Sequence, residues 1–403
     1  MYTRRAEERE VRAGARVAFG AFWLDFERAG TIGSLVWGEF GPVLSDAVAF
    51  PVDPPANPPE TPPRKSTRAN AITCYPRTRS MPTRAPGRDI LSVMDYAPDV
   101  DHLLRRALAL KRDRRRGRRL RSLRDRTLAL VFEKPSTRTR TSFEVGVRDL
   151  GGAPMYLSSH DLQLGRGETI ADTARVLSRY VDGIVYRAFH HADEVELAKW
   201  ASVPVINALD DLEHPCQIAA DLLTMYERWK GKFSGRRLAY IGDGNNVLNS
   251  LLLGAAAVGL DVAAASPNGY GPNAGIVRHA ETLARAHHSS ITLTDSIEEA
   301  VRGADAVYAD VWISMGEEAE TAARTAAFQG YQVNDALLAR ARPDAFVLHD
   351  LPAHRGLEIT DEVMDGPRAA VWDQAENRLH AQKALLEWAL LAPKASRGRG
   401  TSR

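Results

Sequence analysis

At 403 residues, with 44% hydrophobic and 26% charged residues, the chain has globular composition and length for two domains of ordinary size. A formal net charge of +2 is too small to imply a nucleic-acid or membrane partner, and two cysteines, Cys74 and Cys216, exclude a disulfide framework and point to a reducing, cytoplasmic compartment. No run of about 18 apolar residues occurs, which excludes a transmembrane helix.

Residues 1–87 differ from the rest. An Arg/Glu-rich start leads to Pro51 through Pro63, a proline density that forbids a helix or an inner strand and predicts a disordered, extended linker. Glu7, Glu8, Glu10 and Asp25 argue against an acid-poor transit peptide. The segment is read as dispensable for chemistry. From Arg88 the pattern becomes regular, and Ile90, Leu91, Leu103, Leu104, Leu108 and Leu110 predict one or two helices before a strand over Thr127 to Phe132. The basic run Arg105 to Arg126 lacks the aromatic interleaving of a nucleic-acid patch and is expected as a solvated helix face.

Glu133 to Thr141 then reads as a turn between that strand and an amphipathic helical segment, Ser142 to Leu150. The start of a helix presents free N–H groups and the positive end of its dipole to an anion. Ser136 to Thr141 adds four hydroxyls and two arginines, donors enough for every oxygen of a phosphate. Helix capping accounts for one hydroxyl, not four. Because the stretch is not G-x-x-x-x-G-K-[ST], a small phosphorylated molecule is expected rather than a nucleoside triphosphate.

Beyond this cradle, strand-like runs (154–157, 183–186, 203–207, 237–241, 261–265, 306–310 and 345–349) alternate with helical segments (169–180, 216–229, 246–258, 274–287 and 334–341). The alternation predicts an α/β fold of two doubly wound domains, each a parallel sheet flanked by helices, linked by interdomain helices. Ligands in such sheets collect at the carboxyl ends of strands. Unusual polar groups fall there: Arg187, His214-Pro-Cys-Gln217, Gly242 to Asn246, Asp310 to Gly316, and His349 to Arg355. Their convergence on one crevice is what an active site requires. Gly242-x-Gly244 is not a dinucleotide fingerprint, since Val247 holds the third glycine position. His349, Asp350 and His354 match no helical metal spacing, with Pro352 between them, so neither metal nor cofactor is expected.

With these residues assembled, the chain from about Gly87 to Leu391 resembles the aspartate/ornithine carbamoyltransferase family. Ser136-Thr-Arg-Thr-Arg140 is similar to its carbamoyl-phosphate signature, and His214-Pro-Cys-Gln217 to the segment that holds the carbamoyl group. Asp310-Val-Trp-Ile-Ser-Met-Gly316 is similar to the loop that binds ornithine, which aspartate-specific members lack. The resemblance implies transfer of a carbamoyl group from carbamoyl phosphate to the δ-amine of L-ornithine, giving citrulline and phosphate in arginine metabolism. Ser136, Thr137, Arg138 and Thr139 would hold the phosphate with Arg378; Arg187, His214 and Gln217, with Thr139, the carbamoyl moiety. Asn246, Asp310, Ser314, Met315, Asp350 and Leu351 would meet ornithine. Family members are commonly trimers, and Gln163 matches a residue lent to the neighbouring subunit. The implied domains are a carbamoyl-phosphate domain, 88–225, completed by a C-terminal helix, 373–391; an ornithine domain, 226–372; and a disordered tail, 392–403.

One residue departs from the family pattern. Where His-Cys-Leu-Pro is usual, the chain reads His349-Asp350-Leu351-Pro352. An aspartate there would anchor the substrate amine by charge and favour its protonated form, which cannot attack, raising the pH needed for turnover. The alternatives are another amine substrate, such as putrescine or N-acetylornithine, and a catalytically weak ligand-binding paralogue.

Overall fold

The computed structural model describes residues 87–158, 162–163, 167–313 and 320–391. The expectations for 1–87 (Gly87 apart), for 392–403, and for Ser314 and Met315 fall outside the described residues.

A four-residue helix, α1 (Val93–Tyr96), and a longer one, α2 (Val100–Arg115), open the fold. Ile90 is not helical: it bridges in parallel to Ile206, donating its N–H to the Val205 carbonyl at 2.8 Å and so covering one edge of the first sheet. That sheet is built from β1 (Thr127–Phe132), β2 (Ala153–Ser158), β3 (Gly183–Arg187) and β4 (Val205–Leu209), all parallel, in the order β2-β1-β3-β4. The crossovers are α3 (Thr137–Asp149), α4 (Ile170–Leu177) and α5 (His191–Trp200). Strand residues such as Leu128 to Val131 are fully buried, as a sheet covered on both faces demands.

After α6 (Pro215–Arg228) comes the second parallel sheet, β5 (Arg237–Ile241), β6 (Asp261–Ala265), β7 (Ile291–Thr294), β8 (Ala306–Ala309) and β9 (Phe346–Leu348), ordered β7-β6-β5-β8-β9. Its connections are α7 (Asn246–Ala257), α8 (Ala274–Ala286), α9 (Ile297–Val301), α10 (Thr321–Ala327) and α11 (Asp335–Leu338). The short α12 (Asp361–Met364) precedes α13 (Val371–Leu390), which returns to pack on α2, α3 and α6. Strand order reverses between β1 and β3 in one sheet and between β5 and β8 in the other. Such switch points open a crevice at the strand ends. Among the described residues, no helix is long and apolar enough to cross a membrane.

Several elements differ from expectation for physical reasons. The basic run is not simply solvated: Arg106 pairs with Glu387, Lys111 with Glu227 and Arg115 with Glu376, tying α2 to α6 and α13. The sequence reading missed β7, a four-residue edge strand of alternating Thr. It also missed α5, whose apolar periodicity is inverted: Glu194 is fully buried while Val195 is 44% exposed.

Glu194 carries a cost. Neither of its carboxylate oxygens has a hydrogen-bond partner among the described residues, and burial, then Asp210, Glu133 and Asp89, push its pKa well up. Replacing an unsatisfied buried polar group with an apolar one of similar size removes its desolvation cost, so Glu194→Leu is expected to stabilise the fold by about 1–3 kcal/mol. The unfolded chain releases this proton above about pH 4.3 while the folded carboxyl keeps it, so the group's contribution is whole below that pH and is lost as pH rises. Urea unfolding between about pH 5 and 8 should therefore show the variant's advantage growing with pH.

Candidate active site

The two switch points face one cavity of about 960 Å³. Ser136, Arg138, Thr139, Arg187, His214, Gln217, Asn246, Asp310, Asp350, Leu351 and Arg378 all line it, so polar ends of β1, β3, β4, β5, β8 and β9 converge as expected. Two expected residues are not part of that wall. Thr137 is exposed, and so is Gln163, whose carbonyl accepts the Glu168 N–H at 3.4 Å.

The cradle is the first turn of α3 rather than a turn before it, which sorts its side chains. Ser136 is the N-cap, its hydroxyl accepting the Thr139 N–H at 3.3 Å. Successive helical residues rotate by about 100°, so not all of them can face one ligand. Arg140 turns outward, where it stacks 3.5 Å from the Tyr156 ring and pairs with Glu144 at 2.8 Å. Arg138 faces inward and donates to the Leu351 carbonyl at 2.7 Å, joining the first domain to the loop after β9. Thr139 is buried and accepts from Arg378 at 3.1 Å; Arg378 also donates to the Gln217 side-chain carbonyl.

This half of the cavity is rich in buried cations. Burial, then Arg378 and Arg138, lower the Arg187 guanidinium to about 10, and burial likewise lowers Arg138 and Arg378. The Nε atoms of Arg187 and Arg378 have no partner among the described residues. His214 stands just before Pro215 at the start of α6, its backbone N–H donating to Ser250 at 2.8 Å. Burial, then the three arginines, push its pKa far down, so it is a neutral imidazole that can donate a hydrogen bond without adding charge. Among the described residues no carboxylate is hydrogen-bonded to these three arginines, and clustered cations of that kind are a site for an anion.

The other half is acidic. Asp310, buried at the end of β8, accepts from Tyr240 at 2.9 Å, from Asn245 at 2.9 Å and from the Val311 N–H at 2.7 Å. Burial, then Asp350, hold its pKa well up. Asn246 sits at the start of α7 and donates to the Asp210 carbonyl. Asp350 lies 3.5 Å from His349 Nδ1, and the Leu351 N–H donates to that same nitrogen at 2.9 Å. Asp350 stands within electrostatic reach of Arg138, Arg187 and Arg378 on one side and of Asp310, Tyr240 and Tyr308 on the other. It marks the boundary between the cationic and acidic halves.

Sequence reasoning missed the residues beneath the wall. Asp221 and Gln374 are fully buried, Asp221 bonded to Gln217 and Gln374 to Asp221. Their signal was available in the spacing, since each lies four residues from a residue of the wall, Gln217 and Arg378, on the same helix. Among the described residues, no group of three or more His, Cys, Asp or Glu is arranged to hold a metal ion.

Known proteins share this architecture. Residues 88–227 match the family described as aspartate/ornithine carbamoyltransferase, carbamoyl-P binding domain, and residues 234–389 its Asp/Orn binding domain. The ornithine carbamoyltransferase of Anoxybacillus flavithermus is 54% identical over 301 residues, covering 74% of this chain and 96% of its own. The catabolic ornithine carbamoyltransferase of Thermoplasma volcanium is 52% identical over 299 residues, 74% of this chain and 97% of its own. The solved ornithine carbamoyltransferase of Pyrococcus furiosus superposes with a TM-score of 0.74 at 50% identity, over 76% of this chain and 98% of that one. On this evidence of sequence, fold and strand-end geometry, the chain belongs to the aspartate/ornithine carbamoyltransferase family.

Proposed function

We propose that the chain transfers the carbamoyl group of carbamoyl phosphate to the δ-amine of L-ornithine, releasing L-citrulline and phosphate. The observation that carries this reading is a single cavity whose arginine-rich half faces a carboxylate half across Asp350. A dianionic phosphate suits the first half and a cationic amino acid the second. The relatives named for ornithine support the choice of amine.

In this proposal Ser136, Thr137, Arg138, Thr139 and Arg378 take the phosphate, and Arg187, His214 and Gln217 the carbamoyl group. Asn246, Asp310, Asp350 and Leu351 meet ornithine, with Ser314 and Met315. The amine nitrogen attacks the carbonyl carbon, charge builds on the carbonyl oxygen, and the bond to the phosphate oxygen breaks. Arg187 and His214 stabilise the oxygen; Arg138 and Arg378 offset charge on the departing phosphate. Binding both substrates in one crevice supplies orientation. The phosphate-side domain would comprise 88–225 with 373–391, and the amine-side domain 226–372.

A homotrimer belongs to the same proposal, with Gln163 reaching the neighbouring subunit's site. Its support is apolar surface on the first domain, where Met155, Val176, Tyr180 and Trp200 are exposed on β2, around α4 and on α5. A cytoplasmic location is proposed as well, and fractionation of expressing cells reads it. The decisive assay offers purified protein carbamoyl phosphate with ornithine, putrescine, N-acetylornithine or lysine. Citrulline with ornithine is expected; product with another amine makes Asp350 a specificity determinant, and no product with any amine overturns the reading. Light scattering of the same preparation should give roughly three times the 44.3 kDa chain mass.

A further inference from the structure

Beneath the cavity, one carboxylate joins its two halves. Asp221, on α6, is fully buried. It accepts the Gln217 side-chain amide at 2.8 Å, the Gln374 side-chain amide at 2.7 Å and the Tyr308 hydroxyl at 3.1 Å. Each glutamine turns its other end to the site. The Gln217 carbonyl receives the Arg378 guanidinium, and Arg378 reaches on to Thr139 of the phosphate cradle. The Gln374 carbonyl receives the His349 N–H at 2.8 Å, at the start of the loop that carries Asp350 and Leu351.

An amide side chain has one donor end and one acceptor end, so whichever end is fixed decides where the other points. An ionised carboxylate only accepts. Presented to both glutamines, it holds their NH₂ groups inward and aims both carbonyls outward, one at the phosphate side and one at the amine loop. We propose that Asp221 is a positioning residue that couples occupancy of the phosphate half to the geometry of the amine loop through Gln217 and Gln374. This rests on the carbamoyl-transfer reading for the identity of the two ligands, not for the connection itself.

The groups that face Asp221 come from every element packed on it: Tyr308 from β8, Arg378 from α13, Tyr96 from α1, and Asp350 from the loop after β9. Burial pushes Asp221 up to about 7, against the hydrogen bonds from Gln374, Gln217 and Tyr308. Both amides bond Oδ1 and Tyr308 bonds Oδ2, so a protonated Asp221 would keep both glutamines but on a neutral, weaker acceptor. The connection is therefore strongest above that pH and weakens below it.

The test is calorimetric titration of L-ornithine into the full chain, with and without saturating inorganic phosphate, at pH about 8 and about 6. In the natural chain phosphate should tighten ornithine binding by about fivefold or more at the higher pH, and by less at the lower. Asp221→Leu removes the acceptor that both amides share; it should bring the factor to within about twofold at both pH values. Gln374→Met cuts only the amine-side arm, and should weaken ornithine while leaving phosphate affinity intact; it decides the matter if Asp221→Leu does not fold. An undiminished factor in either variant overturns the proposal, as does the absence of any factor in the natural chain. Loss of citrulline formation with the binding factor retained would strike the transfer reading and leave this connection standing.

Discussion

Arg187→Met should lower kcat/KM by about 10²–10³, equivalent to roughly 3 kcal/mol of transition-state stabilisation, while the fold becomes no less stable. Arg187 ends β3 at the switch point of the first sheet, 2% exposed, with its Nε unpartnered among the described residues. Its guanidinium is held in place against burial and against repulsion from Arg378 and Arg138. The attraction of Asp350 is a smaller contribution than burial and the two arginines. A methionine fills similar volume without the charge, so the melting temperature should hold or rise by a few degrees as activity falls, the signature of a group retained for chemistry. Equal losses of activity and stability would instead make Arg187 a structural residue. Steady-state kinetics and a melting curve on one preparation separate these outcomes.

The second large effect concerns pH. Asp350 stands where the cationic and acidic halves meet, and in the proposed reaction a carboxylate there lies beside the attacking amine and stabilises the ammonium form. Only the neutral amine attacks. The acid limb of kcat at saturating ornithine, which reports the bound amine, should therefore lie at higher pH in the natural chain than in Asp350→Cys or Asp350→Asn, by about one unit or more, since one unit corresponds to only 1.36 kcal/mol of differential interaction. Near neutral pH the variants should gain neutral amine but lose an anchor, raising KM. Superimposable profiles would show that Asp350 does not face the amine.

Sequence patterning carried the architecture because its signals were local. Parallel strands buried on both faces read as apolar runs, and β5 and β6 occupy the residues expected for them. The site was legible for the same reason: Arg187 ends a strand, His214, Asp310 and Asp350 each follow one, and topology alone brings strand ends together. What escaped was of two kinds. Short or inverted elements, such as β7 and the Glu194-bearing α5, lack a periodic apolar face. Partners far apart in sequence, such as Arg138 with the Leu351 carbonyl, are set by how the two halves meet, and no local pattern encodes that. The cradle shows an intermediate case, where residue types were informative but the helical start decided that Arg138 faces in and Arg140 out.

The return of α13 to the first domain also has a bearing on the order of events during synthesis. Every strand of the first sheet has been made by residue 209, yet Arg378 and the apolar face of α13, including Ala381, Leu385 and Leu386, arrive only after the whole second sheet. Until then α2, α3 and α6 lack the helix that covers them. A nascent chain halted after β9 would possess both sheets and most of the cavity wall but neither the last arginine nor a finished first core. The proposed site is thus complete only once α13 has been made and has folded back.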